Sequence, residues 1–389
     1  MKKTLLGTTA LVAAGLFAGS ALASDPLKVT IGGNIVTGFY AVDADSISLG
    51  GPSVSFQDTK VPLVARNIDI KAEGTLDNGL VAGVDAKLQL GHDWSIADAL
   101  GGGNSGASFR QLFAYLQGDF GKFEIGGTDG AAYKMHYTSP WFVPGNGVDS
   151  PNILNVPVML VRHSTFSLLA TDSNKISYFT PRLSGFQLGL SFTPTVAVAS
   201  GMMMSPNLAL GPSENGLTLA PKDHGVSNVF EAALNYAGTF GGVDVGADVF
   251  YTKGSGDYIA GDQGDPKEWG LGLNLGYSGF TLGGAYYKSE DIYGSWGAVP
   301  SQGDLEDTTW TAGLKYATGP WTVGVAYLDT DQGIFGSYVD LKSKNWQVGG
   351  GYNLGSGVDL GLDLQSTKFE AAGYDYDSKS VGLVLAIAF

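Results

Sequence analysis

Ser380-Val-Gly-Leu-Val-Leu-Ala-Ile-Ala-Phe389 decides the fold. Val381, Leu383, Leu385, Ile387 and Phe389 fall on one parity; Ser380, Gly382, Ala386 and Ala388 fall on the other. A period of two is a β-strand with two unlike faces. Here one face is greasy, the other is small, and the stretch stops on an aromatic. Such a strand suits the wall of a membrane β-barrel, where lipid-facing and lumen-facing residues alternate.

The same alternation recurs upstream. Leu27, Val29, Ile31 and Ile35 oppose Lys28, Thr30 and Asn34, which predicts a first strand followed by a polar loop over 43–60. Asp77-Asn78-Gly79 is a tight turn, and Leu80, Ala82, Val84, Ala86, Leu88 and Leu90 return on one face. Residues 109–127 form another hairpin about Gly118-Asp119-Phe120-Gly121. Its first strand, from Arg110, is apolar on both parities, a pattern that suits a subunit contact; Phe113 and Tyr115 are its candidates for that contact. A further hairpin turns over 181–185. A second long loop, 193–228, holds Met202, Met203 and Met204, read as packing filler.

The second half repeats one strand. It begins at Phe230, Trp269, Trp310 and Trp346 and ends at Tyr236, Tyr277, Tyr316 and Tyr352. A period of about forty residues could mean propeller blades, but each unit is one hairpin plus one polar loop. From Trp269 to Tyr277 is about 20 Å vertically on a tilted strand, which approximates the spacing of two interface girdles. One ring would hold the four Tyr near the turns. The other would hold Trp269, Trp310, Trp346, Tyr251, Tyr286 and Tyr327 near the loops. All segments together give about sixteen strands, an even number as single-chain bacterial barrels require.

The terminal strand with its final Phe, and the Arg-led run, Gly-Asp-Phe-Gly turn and Gly-Gly exit of 110–127, resemble the general, trimeric porins of Gram-negative outer membranes. That resemblance implies an all-β transmembrane antiparallel barrel whose long third extracellular loop folds into the lumen. It implies a homotrimer in contact with outer-membrane lipid and lipopolysaccharide. It also implies an assembly machinery that reads Phe389, and small hydrophilic solutes as cargo.

Composition agrees. There are 59 Gly, 19 Phe, 18 Tyr, 7 Trp and no Cys among 389 residues. Many Gly and aromatics without long apolar runs argue for short strands and turns. The lack of Cys removes disulfide frameworks and Cys-based metal sites. Met1-Lys2-Lys3, the apolar run 5–17 and Ala21-Leu22-Ala23 form a signal peptide over 1–23, so the barrel domain spans 24–389. Without Lys2 and Lys3, the 22 basic and 37 acidic residues leave a net charge of −17. That balance argues against nucleic-acid binding.

Residues 129–172 carry no sustained alternation, yet Tyr133, Tyr137, Trp141, Phe142, Ile153 and Phe166 need a surface to bury against. The barrel lumen supplies one, and the resemblance implies that this is the constriction loop; an external lid or a subunit contact is the alternative. Asp129, Asp149, Trp141 and Phe142 are its candidate residues. The family's basic wall maps onto Arg66 and Arg110 by strand, more loosely onto Arg162, and Lys28 lies at inward parity. Asp85, Asp244, Asp248, Asp359 and Asp363 are inward-parity acids. Eleven more, from Asp257 through Glu268, Glu290 and Glu306 to Asp331, crowd the later loops. Such acids at a pore mouth favour cations.

No catalytic motif accompanies His92, His136, His163 or His224, which are read as exposed loop residues. No enzyme activity and no cofactor are expected. The expected function is a water-filled, mildly cation-selective diffusion channel, multi-pass in the outer membrane. The alternatives are a channel selective for a sugar or carboxylate, a barrel protease or phospholipase, and a closed structural barrel.

Overall fold

The computed structural model describes residues 27–46, 55–90, 107–155, 163–196, 224–258, 264–291, 306–334, 339–371 and 374–389. The expected leader, Arg162, His92 and the Met202–Met204 run lie outside these residues.

Alternation becomes strand throughout. The strands are β1 (Lys28–Ala44), β2 (Thr59–Lys60), β3 (Leu63–Thr75), β4 (Val81–Leu90), β5 (Ala107–Gly118), β6 (Gly121–Gly127), β7 (Asn174–Phe179) and β8 (Phe186–Thr195). The second half holds β9 (His224–Phe240), β10 (Val243–Tyr258), β11 (Lys267–Tyr277), β12 (Phe280–Glu290), β13 (Glu306–Thr318) and β14 (Trp321–Ile334). It ends with β15 (Val339–Gly355), β16 (Val358–Ala371) and β17 (Tyr374–Ala388). The short helix α1 (Ala131–Lys134) lies between β6 and β7. The expected loop at 43–60 is shorter than its polarity suggests, because β1 runs to Ala44 and β2 pairs back onto Tyr40 and Ala41.

Every strand pairs antiparallel with its neighbours, and β17 pairs with β1. β2 and β3 occupy one wall position, since both pair with β1. The result is a closed 16-stranded barrel. Phe389 completes the seam: its N–H donates to the Gly33 carbonyl at 3.0 Å and its carbonyl accepts the Gly33 N–H at 2.9 Å. Closure leaves no sheet edge to template aggregation.

Short turns gather at one end of the barrel. Gly241-Gly242 and Ser278-Gly279 put both central residues at positive φ. That geometry matches the twist of two-residue hairpins, and Gly adopts it without steric cost.

The outward parity is apolar. Leu271, Leu273, Leu360, Leu362, Leu383 and Ile125 are all exposed. Two aromatic rings bound this band, as the sequence predicts. Near the turns, Phe280 packs on Tyr316 with centroids 4.4 Å apart, and Trp321 on Tyr352 at 4.5 Å. Near the loops, Trp269 meets Tyr286 at 5.2 Å and Tyr327 meets Trp346 at 4.6 Å.

Strand β5 corrects one expectation. Phe113 and Tyr115 are buried on the inward parity, whereas Leu112 is exposed on the outward one. The Tyr115 hydroxyl donates to Glu73, and Lys134 lies 4.8 Å from the Phe113 ring centroid. The strand is apolar on both parities because aromatics support lysines inside.

Candidate functional site

Residues 128–155 and 163–173 are tied to side chains on the parity opposite the exposed aliphatics. The ties run round most of the wall. The Ala131 N–H donates to Ser191 Oγ on β8 at 2.8 Å, and the Ala132 N–H to Glu231 Oε2 on β9 at 3.1 Å. Asp248 on β10 accepts the Tyr137 N–H at 2.7 Å and faces His136 Nδ1 at 3.0 Å. Thr311 on β13 donates to Ser139 Oγ at 2.8 Å. Asn155 donates to Ser380 Oγ on β17 at 2.5 Å, and Lys60 on β2 to the Leu154 carbonyl at 2.9 Å.

Asp363 on β16 is the densest node. It accepts from Tyr40 Oη at 2.7 Å, Asn146 Nδ2 at 2.9 Å, Gln347 Nε2 at 2.9 Å and Gln365 Nε2 at 2.8 Å. A fully buried carboxylate needs that many donors, since each unmet group would cost free energy. Apolar packing surrounds it: Phe142, Val143, Val148 and Ile153 cluster with Val36, Tyr40, Leu328 and Val384. Gly324 makes room for the Phe142 ring, because a Cβ there would overlap it.

The two ends of the segment meet at β5. Gln111 Nε2 donates to Asp129 Oδ2 at 2.8 Å and to Asp172 Oδ1 at 2.7 Å, while Arg110 Nε donates to Asp172 Oδ2 at 2.8 Å. Burial, and then the neighbouring Asp172, raise the Asp129 carboxyl above its ordinary range, against the pull of Arg110. Burial chiefly pushes the Tyr133 phenol up to about 12.

The predicted residues divide as follows. Asp149 is wholly buried and braces the segment itself, accepting the Thr165 N–H at 2.9 Å and the Thr138 and Thr165 hydroxyls. Trp141 stays 37 % exposed. Arg110 lies at the irregularity where Lys87 pairs with Gln111 and Leu88 with Phe109, and Arg66 at a similar one in β3. Each bulge breaks the parity on which sequence placed them. Lys28 sits opposite Glu73 near the turn end, far along the strand from Arg110. Asp244 and Asp359 are also near the turns, held by Thr239 and Asn353 at 2.7 Å each. Asp85 lies on β4 opposite Lys71 and Phe113.

Three expectations change. His136 and His163 are buried rather than exposed, and His163 Nε2 lies 3.1 Å from Ser343 Oγ. Glu268 is a buried β11 residue that accepts from Tyr287 at 2.8 Å and from Ser167. Glu290, Glu306, Asp329 and Asp331 belong to strands on the outward parity, and Lys288–Glu306 at 3.1 Å and Lys342–Asp331 at 3.3 Å pair two of them. Among the described residues, these acids therefore do not line the mouth of the barrel as the sequence predicts.

Sequence reasoning missed Glu231 and Lys175. Lys175 donates to the Ala170 and Ser173 carbonyls at 2.6 and 2.9 Å, and to that of Thr128. Strand parity was the available signal: both alternate with outward apolar residues. Inside the early strands, Lys71 pairs with Glu73 and Lys122 with Glu124, at 2.8 Å each, and the two lysines remain 44 % and 31 % exposed. The Lys122 ammonium lies 4.5 Å from the Tyr115 ring centroid.

A family model described as Gram-negative porin matches residues 7–372. The fold is similar to the anion-selective porin from Comamonas acidovorans (TM-score 0.58, 17% identity, 93% of this chain and 100% of that one). It is also similar to the trimer form of OmpT from Vibrio cholerae (TM-score 0.58, 11% identity, 94% and 100%). A third likeness is to the channel DcaP of Acinetobacter baumannii (TM-score 0.56, 13% identity, 95% and 100%). At these identities the likenesses concern fold. An uncharacterised protein of Rickettsia bellii is 26% identical over 132 residues, which span 28% of this chain and 30% of that protein.

Proposed function

The chain belongs to the Gram-negative porin family, and from that premise we propose that residues 128–173 lie across the lumen and set the size limit for passive diffusion of ions and small hydrophilic solutes. The protein is an outer-membrane channel, multi-pass by its strands, and not an enzyme. The observation that carries the constriction is Asp363, which fastens Asn146 to the inward face of β16. Asp248 does the same for His136 and Tyr137 on β10. A segment held at many points resists being pushed aside by solute.

Ion preference is weak and favours cations only slightly. The net charge of −17 favours cations at low salt. Against it stand the inward lysines Lys71 and Lys122, although each is paired with a glutamate at 2.8 Å, the burial of Asp248, Glu268, Asp307 and Asp363, and the outward parity of Glu290, Glu306, Asp329 and Asp331. Arg66, Arg110 and Arg162 would add to the basic side.

The working unit is a homotrimer joined through the outward apolar face of β4 to β6, in outer-membrane lipid including lipopolysaccharide. The assembly machinery engages the Phe389 strand. Planar-bilayer recording tests the channel reading: current linear with solute and salt supports general diffusion. Saturation and block by a sugar would instead favour a selective channel, with the exposed Trp141 as its stacking surface.

A further inference from the structure

A carboxylate only accepts hydrogen bonds, so Asp363 fixes which way its amide neighbours point. Gln347 Nε2 donates to Asp363 Oδ1 at 2.9 Å and Gln365 Nε2 to Asp363 Oδ2 at 2.8 Å. With that nitrogen committed, Gln365 Oε1 accepts from Asn155 Nδ2 at 3.2 Å. Asn345 Nδ2 donates to Ser343 Oγ at 2.9 Å. The amide nitrogens are all engaged, and three amide oxygens are left over. Gln347 Oε1, Asn345 Oδ1 and Asn155 Oδ1 are buried with no hydrogen-bond partner among the described residues. Their side chains belong to residues only 2 %, 4 % and 6 % exposed. A buried amide oxygen is unfavourable unless something supplies positive charge to it.

Two of these residues border one small crevice. Asn345 and Gln347 are two positions apart on β15 and so share its inward face. Thr367 and Gln365 stand directly opposite them on β16. These four line a crevice of about 10 Å³, and Val148 and Leu154 of the segment line its other side. That is room for one water-sized occupant. Asn155 lies beside it, bonded to Gln365.

We propose that this crevice binds one monovalent metal cation, K⁺ in preference to Na⁺, through Asn345 Oδ1, Gln347 Oε1 and the neighbouring Asn155 Oδ1. A water has two hydrogens for three oxygens, whereas a cation satisfies all three. K⁺ matches a water-sized space better than the smaller Na⁺, and carbonyl oxygens replace its hydration shell in selectivity filters. Gln347 passes on the charge of Asp363, because an amide that donates to a carboxylate carries a more negative oxygen. The residues lining the crevice include no carboxylate, and Lys60, which donates to the Leu154 carbonyl at 2.9 Å, offsets Asp363. That balance disfavours Ca²⁺ and Mg²⁺, whose sites draw on carboxylates. An ion here links β15 to Asn155 and adds to the fastening made by Asp363. It belongs to the contact itself, and holds whether or not the segment sets the size limit for solutes.

The test uses Tl⁺, which substitutes for K⁺ and scatters anomalously, in crystals of the full barrel. The wild type should show an anomalous peak between Asn345 Oδ1 and Gln347 Oε1 that excess K⁺ displaces and excess choline does not. Asn345→Leu removes one of the oxygens without touching Asp363 and should lose the peak. In solution, the melting temperature of the detergent-purified wild type should rise with KCl to a plateau, with choline chloride holding the ionic strength constant. A smaller rise is expected with NaCl. Asn345→Leu should lose most of the KCl rise, yet melt no lower than the wild type in choline alone. Asn345→Asp keeps an oxygen and adds a charge, so Ca²⁺ should now raise its melting temperature. Solvent density without an anomalous peak, a peak unchanged in Asn345→Leu, or equal wild-type melting in KCl and choline chloride overturns the proposal. So does an Asn345→Asp barrel that answers to neither K⁺ nor Ca²⁺, and an equal rise with NaCl overturns the preference for K⁺.

Discussion

Asn146 Nδ2 donates to Asp363 Oδ2 at 2.9 Å, joining residues 217 positions apart across the inner face of the barrel. Asp363→Ala would leave the buried donors of Asn146, Tyr40 and Gln347 without their acceptor. Each such loss costs roughly 1–3 kcal/mol. The variant should unfold at lower temperature by circular dichroism and show larger, noisier single-channel steps. Asp363→Asn keeps an acceptor oxygen and should be milder. Wild-type noise and melting in both variants would show that this node does not hold the segment.

The parity of β5 makes the subunit contact testable. Single Cys at Leu112 or Ala114 should cross-link trimers, because these residues sit on the outward face. Cys at the inward Phe113 should not. Cross-linking from Leu273 instead would move the contact to the later strands.

Selectivity should answer to inward charge only. Lys71→Gln/Lys122→Gln should shift the zero-current potential in a KCl gradient toward stronger cation preference. Glu290→Gln/Glu306→Gln should leave it unchanged, since both face outward. The effect should fade as salt rises, because charges are screened within about 8–10 Å at physiological ionic strength. A large shift from the rim pair would contradict the parity assignment.

Asp129 gives a pH signature. Its folded carboxyl is raised, by burial first and Asp172 second. The native state therefore keeps the proton to higher pH than the unfolded chain. Its contribution to stability is present below the ordinary carboxyl value of about 3.9 and is lost as pH rises through the folded value. Asp129→Asn should flatten that part of the melting-temperature profile. Identical profiles would remove Asp129 from the balance.

The wall was legible because alternation is local: two faces, turn chemistry and aromatic rings are each written in a few adjacent residues. Arg66 and Arg110 were placed less well because a single extra residue at a bulge shifts the face of a side chain, and sequence does not announce it. The histidines depart from expectation for another reason. His136 is buried because its segment returns to Asp248, a residue 112 positions away. Composition marked 129–172 as needing a surface; it could not say which wall residues receive it. Glu290 and Glu306 look like loop acids in sequence because strands extend past the girdle, where outward positions turn charged.

Single-channel conductance of a barrel lacking residues 139–156, compared with the full chain in the same salt, tests the constriction most directly. The variant should conduct more and admit larger sugars in liposome swelling, because the Phe142, Asn146 and Ile153 contacts are gone while the 16-stranded wall remains. An inserted variant with unchanged conductance and unchanged size limit would place that segment outside the path of the solute.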